Sequence, residues 1–256
     1  MLETLFLNTV EDVPSPIQTW MRGHNAFPVL TVGLYLLFVY RHAGPSPHRV
    51  ISRSLDRAYF YWNLGLTLFS LWGASVTIPR LYGYMLEQGF TATVCQVRWW
   101  EAQDHPDLTL AVGLFIWSKF FELFDTVFLV YQNKPVRVIH WFHHATVLLY
   151  CWHGYVNPTS AAIWFATMNY TVHTLMYFYY AFQLTQKPVQ IFITGIQITQ
   201  MVVGTGITVY SVFHYYFGAQ GCRTEPWNFG FALAIYVAYL VLFVRLFRVN
   251  YHKKRH

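Results

Sequence analysis

The chain has 256 residues, of which 55% are hydrophobic, 20% aromatic and only 11% charged. Soluble domains carry roughly 25% charged residues, so this composition excludes an ordinary water-soluble globule. The net charge of +6 does not point to nucleic acid, because the basic residues flank apolar runs and form no amphipathic basic surface.

Met1–Trp20 has no basic leader region and contains Glu3, Glu11 and Asp12, so the first apolar segment is expected to be a retained anchor. A membrane-crossing helix needs about 20 mostly apolar residues. Seven candidates follow in chain order, the first short and expected to extend into its flanks: Phe27–Tyr40, Tyr59–Ile78, Leu108–Tyr131, Val138–Val156, Ala161–Phe182, Val189–Phe217 and Phe229–Val249. The expected fold is all-α and integral to the membrane, one seven-span domain over residues 1–256 with a basic cytosolic tail from about residue 250. Pro79, Pro135, Pro158, Pro188 and Pro226 are expected at or beyond span ends.

Lys and Arg set the orientation. With a lumenal N-terminus, Arg41, Arg49, Arg53, Arg57, Lys134, Arg137, Lys187, Arg245, Arg248, Lys253, Lys254 and Arg255 are cytosolic. Only Arg22, Arg80, Arg98 and Arg223 are then lumenal, as the positive-inside rule requires. The C-terminus becomes cytosolic, where Lys253 and Lys254 match a dilysine retrieval signal of endoplasmic reticulum proteins. Cys95 and Cys222 both fall in lumenal loops and are expected to form a disulfide, whereas Cys151 lies inside a span.

Polar residues inside the spans point to function, because ionisable groups are costly in a bilayer. Span three carries Lys119, Glu122 and Asp125 at intervals of three, and span four opens with His140, His143 and His144 on one helix side. Span five carries Asn169, His173, Tyr177 and Tyr180, and span six Thr194, Gln197 and Gln200. At 1.5 Å per residue, Asp125, Glu122 and Lys119 lie roughly 9, 13 and 18 Å from the cytosolic end of their span. His140, His143 and His173 lie about 4, 8 and 14 Å deep, and Thr194, Gln197 and Gln200 about 8, 12 and 16 Å. Any single Gln or Asn could be interhelical glue, but four helices placing polar groups at one level predict a shared pocket.

The histidines admit two chemistries. Membrane di-iron enzymes use several histidine boxes, and this chain has one His-x-x-His-His; a three-histidine zinc site stays open. Alternatively an imidazole acts as nucleophile or general base. A histidine-box metalloenzyme of the desaturase or hydroxylase kind, and a seven-span receptor or transporter that binds without turnover, are the competing readings.

Lys119-x-x-Glu122-x-x-Asp125-Thr126, His140-x-x-His143-His144, Asn169-x-x-x-His173-x-x-Met176-Tyr177-x-Tyr179-Tyr180 and Thr194-x-x-Gln197-x-x-Gln200 resemble the four signature boxes of the fatty acid elongases. The resemblance runs from about Phe27 to the C-terminus. It implies a 3-ketoacyl-CoA synthase of the endoplasmic reticulum that joins acyl-CoA to malonyl-CoA, without a metal or other cofactor. Spans two to seven would surround a substrate tunnel and span one would lie outside, with Trp117, Trp152 and Phe165 as candidate tunnel lining. Lys134, Arg137, Lys187 and Arg245 would meet the CoA phosphates. In that family the middle box histidine is the one implicated in catalysis, here His143, with His140 and His144 orienting it, Asp125 as a hydrogen-bond partner and His173 across the pocket. His140-Trp141 and Met168-Asn169-Tyr170 resemble members acting on saturated and monounsaturated chains. The implied partners are membrane lipid and the ketoacyl reductase, dehydratase and enoyl reductase of the elongation cycle; a homo-oligomer is compatible, and no nucleic acid is expected.

Overall fold

The computed structural model describes residues 16–44, 53–96, 99, 105–157, 159–219 and 221–252; the proposed retrieval signal Lys253–Lys254, with Arg49, Arg98 and Arg255, lies outside the described residues. Among the described residues the chain is helical throughout: α1 Pro16–Gly23, α2 Ala26–His42, α3 Arg53–Gln88, α4 Phe90–Cys95, α5 Pro106–Glu122, α6 Phe124–Tyr131, α7 Val138–Val156, α8 Ala162–Ala181, α9 Lys187–Phe217 and α10 Pro226–Phe247. A π-helical turn, Arg248–His252, follows α10. The β-structure described is one isolated bridge, Thr159 to Thr224.

Pro106, Pro188 and Pro226 occupy the first turns of α5, α9 and α10. There a missing N–H costs nothing and the fixed φ favours the helix. Pro79 differs from expectation: α3 continues through it to Gln88 instead of ending at Ile78. The hydroxyls of Ser75 and Thr77 donate to Trp72 O (2.7 Å) and Gly73 O (2.9 Å) in the preceding turn, while the bond lost at Pro79 is the one that Ser75 O would accept. The third predicted span is two helices. Leu123 between them keeps helical dihedrals, and Thr126 N bonds Leu123 O at 3.2 Å, an i to i+3 tightening of one turn.

On length and mean hydropathy, α9 and the stretch Pro226–Tyr251 are clear candidate membrane spans, and Ile17–Gly23 with Ala26–His42 qualifies jointly across a 64° bend. The other apolar helices fall short of that standard. α5 and α6, with 17 and 8 residues, are each too short, and the histidines and other polar groups of α7 and α8 lower their hydropathy.

Two close approaches organise the bundle. α3 packs along α8, and the ring of Tyr170 lies over Gly73, where a Cβ would collide with it. Tyr170 also donates to Ala111 O at 2.9 Å, which ties α8 to α5. α9 packs on α10 in the same manner, with the Tyr236 ring over Gly204. Outside these, α2 lays Val32, Tyr35 and Val39 on Ala145 and Leu148 of α7.

One end of the bundle is pinned by polar contacts. Arg22 donates twice to Val156 O at the end of α7 (3.2 and 3.0 Å), where a helix C-terminus favours a cation. Ser160 and Thr224 share a 2.6 Å hydrogen bond, Asn228 donates to Thr159 at 2.8 Å, and His153 Nδ1 meets Asn228 Oδ1 at 2.6 Å. Cys95 and Cys222, separated by 127 residues, are disulfide-bonded, and Cys151 is a free, half-buried thiol. Closing so long a loop stabilises by roughly 5 kcal/mol in the chain-entropy model. Reductant should therefore lower the unfolding temperature measurably and raise the intact mass by two hydrogens; two freely alkylated thiols in the unreduced native protein would remove the bond from the account.

Candidate active site

The polar stripes of four helices meet in one cavity of about 440 Å³. His140, His143 and His144 face it from α7, Asn169, His173, Tyr177 and Tyr180 from α8, Thr194, Gln197 and Gln200 from α9, and Asp125 from α6. Arg137 and Pro135, both exposed, line its mouth with Asn250 and Tyr251 of the final π turn. No described residue of α2 lines it.

Lys119 and Glu122 stand one layer behind the wall. Both are 2% exposed, and Lys119 Nζ donates to Glu122 Oε1 at 2.7 Å. Ser118 Oγ also donates to that oxygen at 3.0 Å, and the Lys119 ammonium sits 4.2 Å from the centre of the Phe115 ring. The ammonium makes a second bond, to Asn169 Oδ1 at 2.9 Å. That bond fixes which way the amide faces. Asn169 must then present its NH₂ to His173, and Nδ2 donates to His173 Nε2 at 3.1 Å. A nitrogen that accepts carries no proton, so the His173 proton is on Nδ1, 3.9 Å from Glu122 Oε1. A buried ion pair thereby selects the tautomer of a cavity histidine.

Asp125 departs from expectation. Instead of bonding a histidine, its carboxylate accepts from Trp62 Nε1 (2.7 Å) and from the Tyr177 hydroxyl (2.8 Å). Thr126, the next residue, reaches the histidines: its hydroxyl lies 2.9 Å from His140 Nε2 and 2.8 Å from the Tyr35 hydroxyl of α2. His140 is so tethered, and its ring lies 4.4 Å from that of His144. The Nδ1 atoms of His143 and His144 are buried with no hydrogen-bond partner. His143 also lies beside Tyr239, ring centres 4.8 Å apart. Because the Nδ1 atoms of His143 and His144 are buried, each ring can meet a bound acyl group only through Nε2.

Lys187 is exposed at the start of α9 and is not among the residues lining the cavity; Gln190, one turn later, is. Trp117 and Trp152 do not line it either. They pack with Trp20, Phe27 and Phe120 in an aromatic cluster that holds α1 and α2 to the bundle, and Trp152 Nε1 donates to Asn25 at 3.1 Å. Sequence reasoning missed Tyr59 and Asn63, which line the cavity, and Trp62, which holds Asp125. Their i, i+3, i+4 spacing on α3 was the available signal. Among the described residues, no group of three or more His, Cys, Asp or Glu side chains is arranged to hold a metal ion.

Residues 20–256 match the family ELO: GNS1/SUR4. The chain belongs to this family. It is 38% identical over 231 residues to "Very long chain fatty acid elongase 4" of Trypanosoma cruzi, covering 87% of this chain and 79% of that protein. It is 36% identical to "Fatty acid elongase 3" of the same organism, over 92% of this chain and 87% of the relative. With "Very long chain fatty acid elongase 6" of Drosophila melanogaster the identity is 34%, over 92% and 77%. Family membership makes this an elongation enzyme of fatty acid biosynthesis, and it disfavours both the receptor and the desaturase-like readings. The apolar helices accord with a multi-pass membrane protein.

Proposed function

We propose that the protein is a 3-ketoacyl-CoA synthase, embedded in the endoplasmic reticulum membrane through seven spans, with its N-terminus lumenal and its C-terminus cytosolic. The observation that carries the proposal is the shared cavity into which four histidines converge, its mouth beside Arg137 and its lining a mixture of polar groups with Val172, Ile193, Met201 and Phe243. A long acyl chain needs the apolar depth, and the anionic CoA head group needs a basic entrance. Arg137, with Lys134 and Arg245 near the same end, serves the CoA phosphates. No resident metal or cofactor takes part. The ketoacyl reductase, dehydratase and enoyl reductase steps fall to other membrane proteins, because the chain carries no nucleotide-binding fingerprint.

In the proposed cycle an imidazole nitrogen of His143 attacks the acyl-CoA carbonyl carbon. The carbon–sulfur bond breaks, the imidazole proton passes to the thiolate, and free CoA leaves an acyl-imidazole behind. Malonyl-CoA then loses CO₂, and the electron pair stays on its α-carbon as an enolate that His173 stabilises. The enolate carbon attacks the acyl carbon, the carbon–nitrogen bond breaks, and a proton from water restores the imidazole. The product is longer by two carbons. Burial suits this chemistry, because an acyl-imidazole persists only where water is excluded.

The test is turnover by purified protein given acyl-CoA and labelled malonyl-CoA. Release of labelled CO₂ with a 3-ketoacyl-CoA two carbons longer is the expected result, undiminished by chelators. Absence of condensation in folded protein would end the proposal, and activity lost to a chelator and regained with one metal would end its metal-free form.

A further inference from the structure

α2 reaches the site without lining its cavity. The Tyr35 hydroxyl lies 2.8 Å from Thr126 Oγ1, and that oxygen is itself 2.9 Å from His140 Nε2. Tyr35 is 6% exposed and Thr126 is fully buried. Side chains from α2, α6 and α7 thus stand in one hydrogen-bonded row that ends on a cavity histidine.

Thr126 uses its hydroxyl differently from most threonines of this bundle. Thr67, Thr77, Thr171, Thr174, Thr205 and Thr208 each donate to the carbonyl four residues back. That is the common way for a helical hydroxyl to place its proton in an apolar interior. Thr126 stands in the first turn of α6, just past the break at Leu123, and its hydroxyl bonds sideways to Tyr35 and His140. Among the described residues its proton has no other acceptor, so it accepts from one of the two and donates to the other.

The sense of the row follows from counting protons. If His140 were the donor, Thr126 would donate to Tyr35, and the phenolic proton would be left without an acceptor among the described residues. A buried donor left unpaired is costly. With Tyr35 as donor every proton is placed: Tyr35 donates to Thr126, and Thr126 donates to His140 Nε2. A ring nitrogen that accepts carries no proton, so the His140 proton is on Nδ1. Asn169 selects the same tautomer in His173.

Resting on the synthase reading above, we propose that Tyr35 is a positioning residue of the condensation site: acting through Thr126, it fixes the His140 ring and commits Nε2 to accepting. The nitrogen that His140 has left for the substrate is then the protonated Nδ1, a hydrogen-bond donor and not a nucleophile. The outer helix serves the site as well as anchoring the chain.

The experiment uses the full-length protein carrying Tyr35→Phe, which deletes one oxygen and keeps the ring packed with Val32 and Val39 on Ala145 and Leu148. In steady-state condensation kcat should fall on the order of tenfold, with the KM for acyl-CoA unchanged, because Tyr35 touches no substrate. The second readout is nitrogen NMR of protein with isotope-labelled histidine, the His140 ring signals being assigned by their loss in His140→Gln. The wild-type protein should show one tautomer, protonated at Nδ1, and Tyr35→Phe a mixture of two. Thr126→Val should give both changes, and adding Tyr35→Phe to it should cost nothing further, since the two cut the same row. Val39→Ala, on the same face of α2, should lower the unfolding temperature and leave kcat and the His140 signals alone. If Tyr35→Phe does not fold, Thr126→Val carries the same expectation. A wild-type His140 protonated at Nε2, or a folded Tyr35→Phe protein whose kcat or His140 signals stay at wild-type values, overturns the positioning role and leaves the synthase reading intact. Wild-type protein that condenses nothing overturns the synthase reading itself, and the positioning role with it.

Discussion

His143→Ala protein should release no CoA from acyl-CoA alone and should carry no acyl mass on the peptide containing residue 143. Wild-type protein under the same conditions should do both in the absence of malonyl-CoA, because in a ping-pong cycle the first half-reaction needs only the first substrate. Loss of a covalent nucleophile removes the step itself, and condensation should fall on the order of 10³-fold or more. His143 is favoured over its neighbours on geometry. His140 Nε2 is engaged by Thr126 and His173 Nε2 by Asn169, whereas at His143, which lines the cavity, Nδ1 is buried and Nε2 is the atom left to meet substrate. His144 shares that condition but lies against His140, ring centres 4.4 Å apart. His144→Ala is therefore expected to slow the cycle without abolishing acylation. Acylated His143→Ala protein, or kinetics that require both CoA substrates bound together, would reassign His143 to general base.

Lys119→Met should be among the most destabilising substitutions in the protein. Lys119 and Glu122 are each 2% exposed, and Glu122 Oε2 already lacks a hydrogen-bond partner. Removing the ammonium leaves a buried carboxylate supported only by Ser118 and the more distant His173. Breaking one side of a buried pair costs about 3–5 kcal/mol, readable as a large drop in unfolding temperature in detergent. Lys119→Met with Glu122→Gln should recover much of that loss, since no uncompensated charge remains. Activity should not recover with it. Without Lys119 the Asn169 amide loses the contact that orients it, and His173 loses its enforced tautomer. A Lys119→Met protein of wild-type stability, or a double variant of wild-type activity, would show that the pair neither stabilises the bundle nor arranges the site.

Helical periodicity explains why so much of the site could be read in advance. Residues spaced by three and four share a helix face whatever surrounds the helix. His140, His143 and His144 therefore had to face one direction, and so did Asn169, His173 and Tyr177. Each stripe was polar inside an apolar segment, and burying it against the others was the only way to satisfy its hydrogen bonds. The helical class and the cavity residues followed from local order. The course of α3 through Pro79 did not, because whether a proline ends a helix depends on whether packing, here of α3 along α8, keeps the chain helical past the one lost bond.

The sequence by itself determined the helical class, the faces that carry polar groups and the family signature, since all three rest on residue type and spacing along one segment. Partnership was decided only in the tertiary structure. Asp125 bonds residues 63 and 52 positions away, and Lys119 bonds Asn169 at a separation of 50. The same holds for Trp117 and Trp152, which brace the outer helices, and for Tyr236, which fills the space over Gly204. The physical reason is that the rotation and sliding of one helix against another are set by side chains interlocking across the interface. A shift of one residue in that register would give every one of these groups a different neighbour while leaving each helix, taken alone, unchanged.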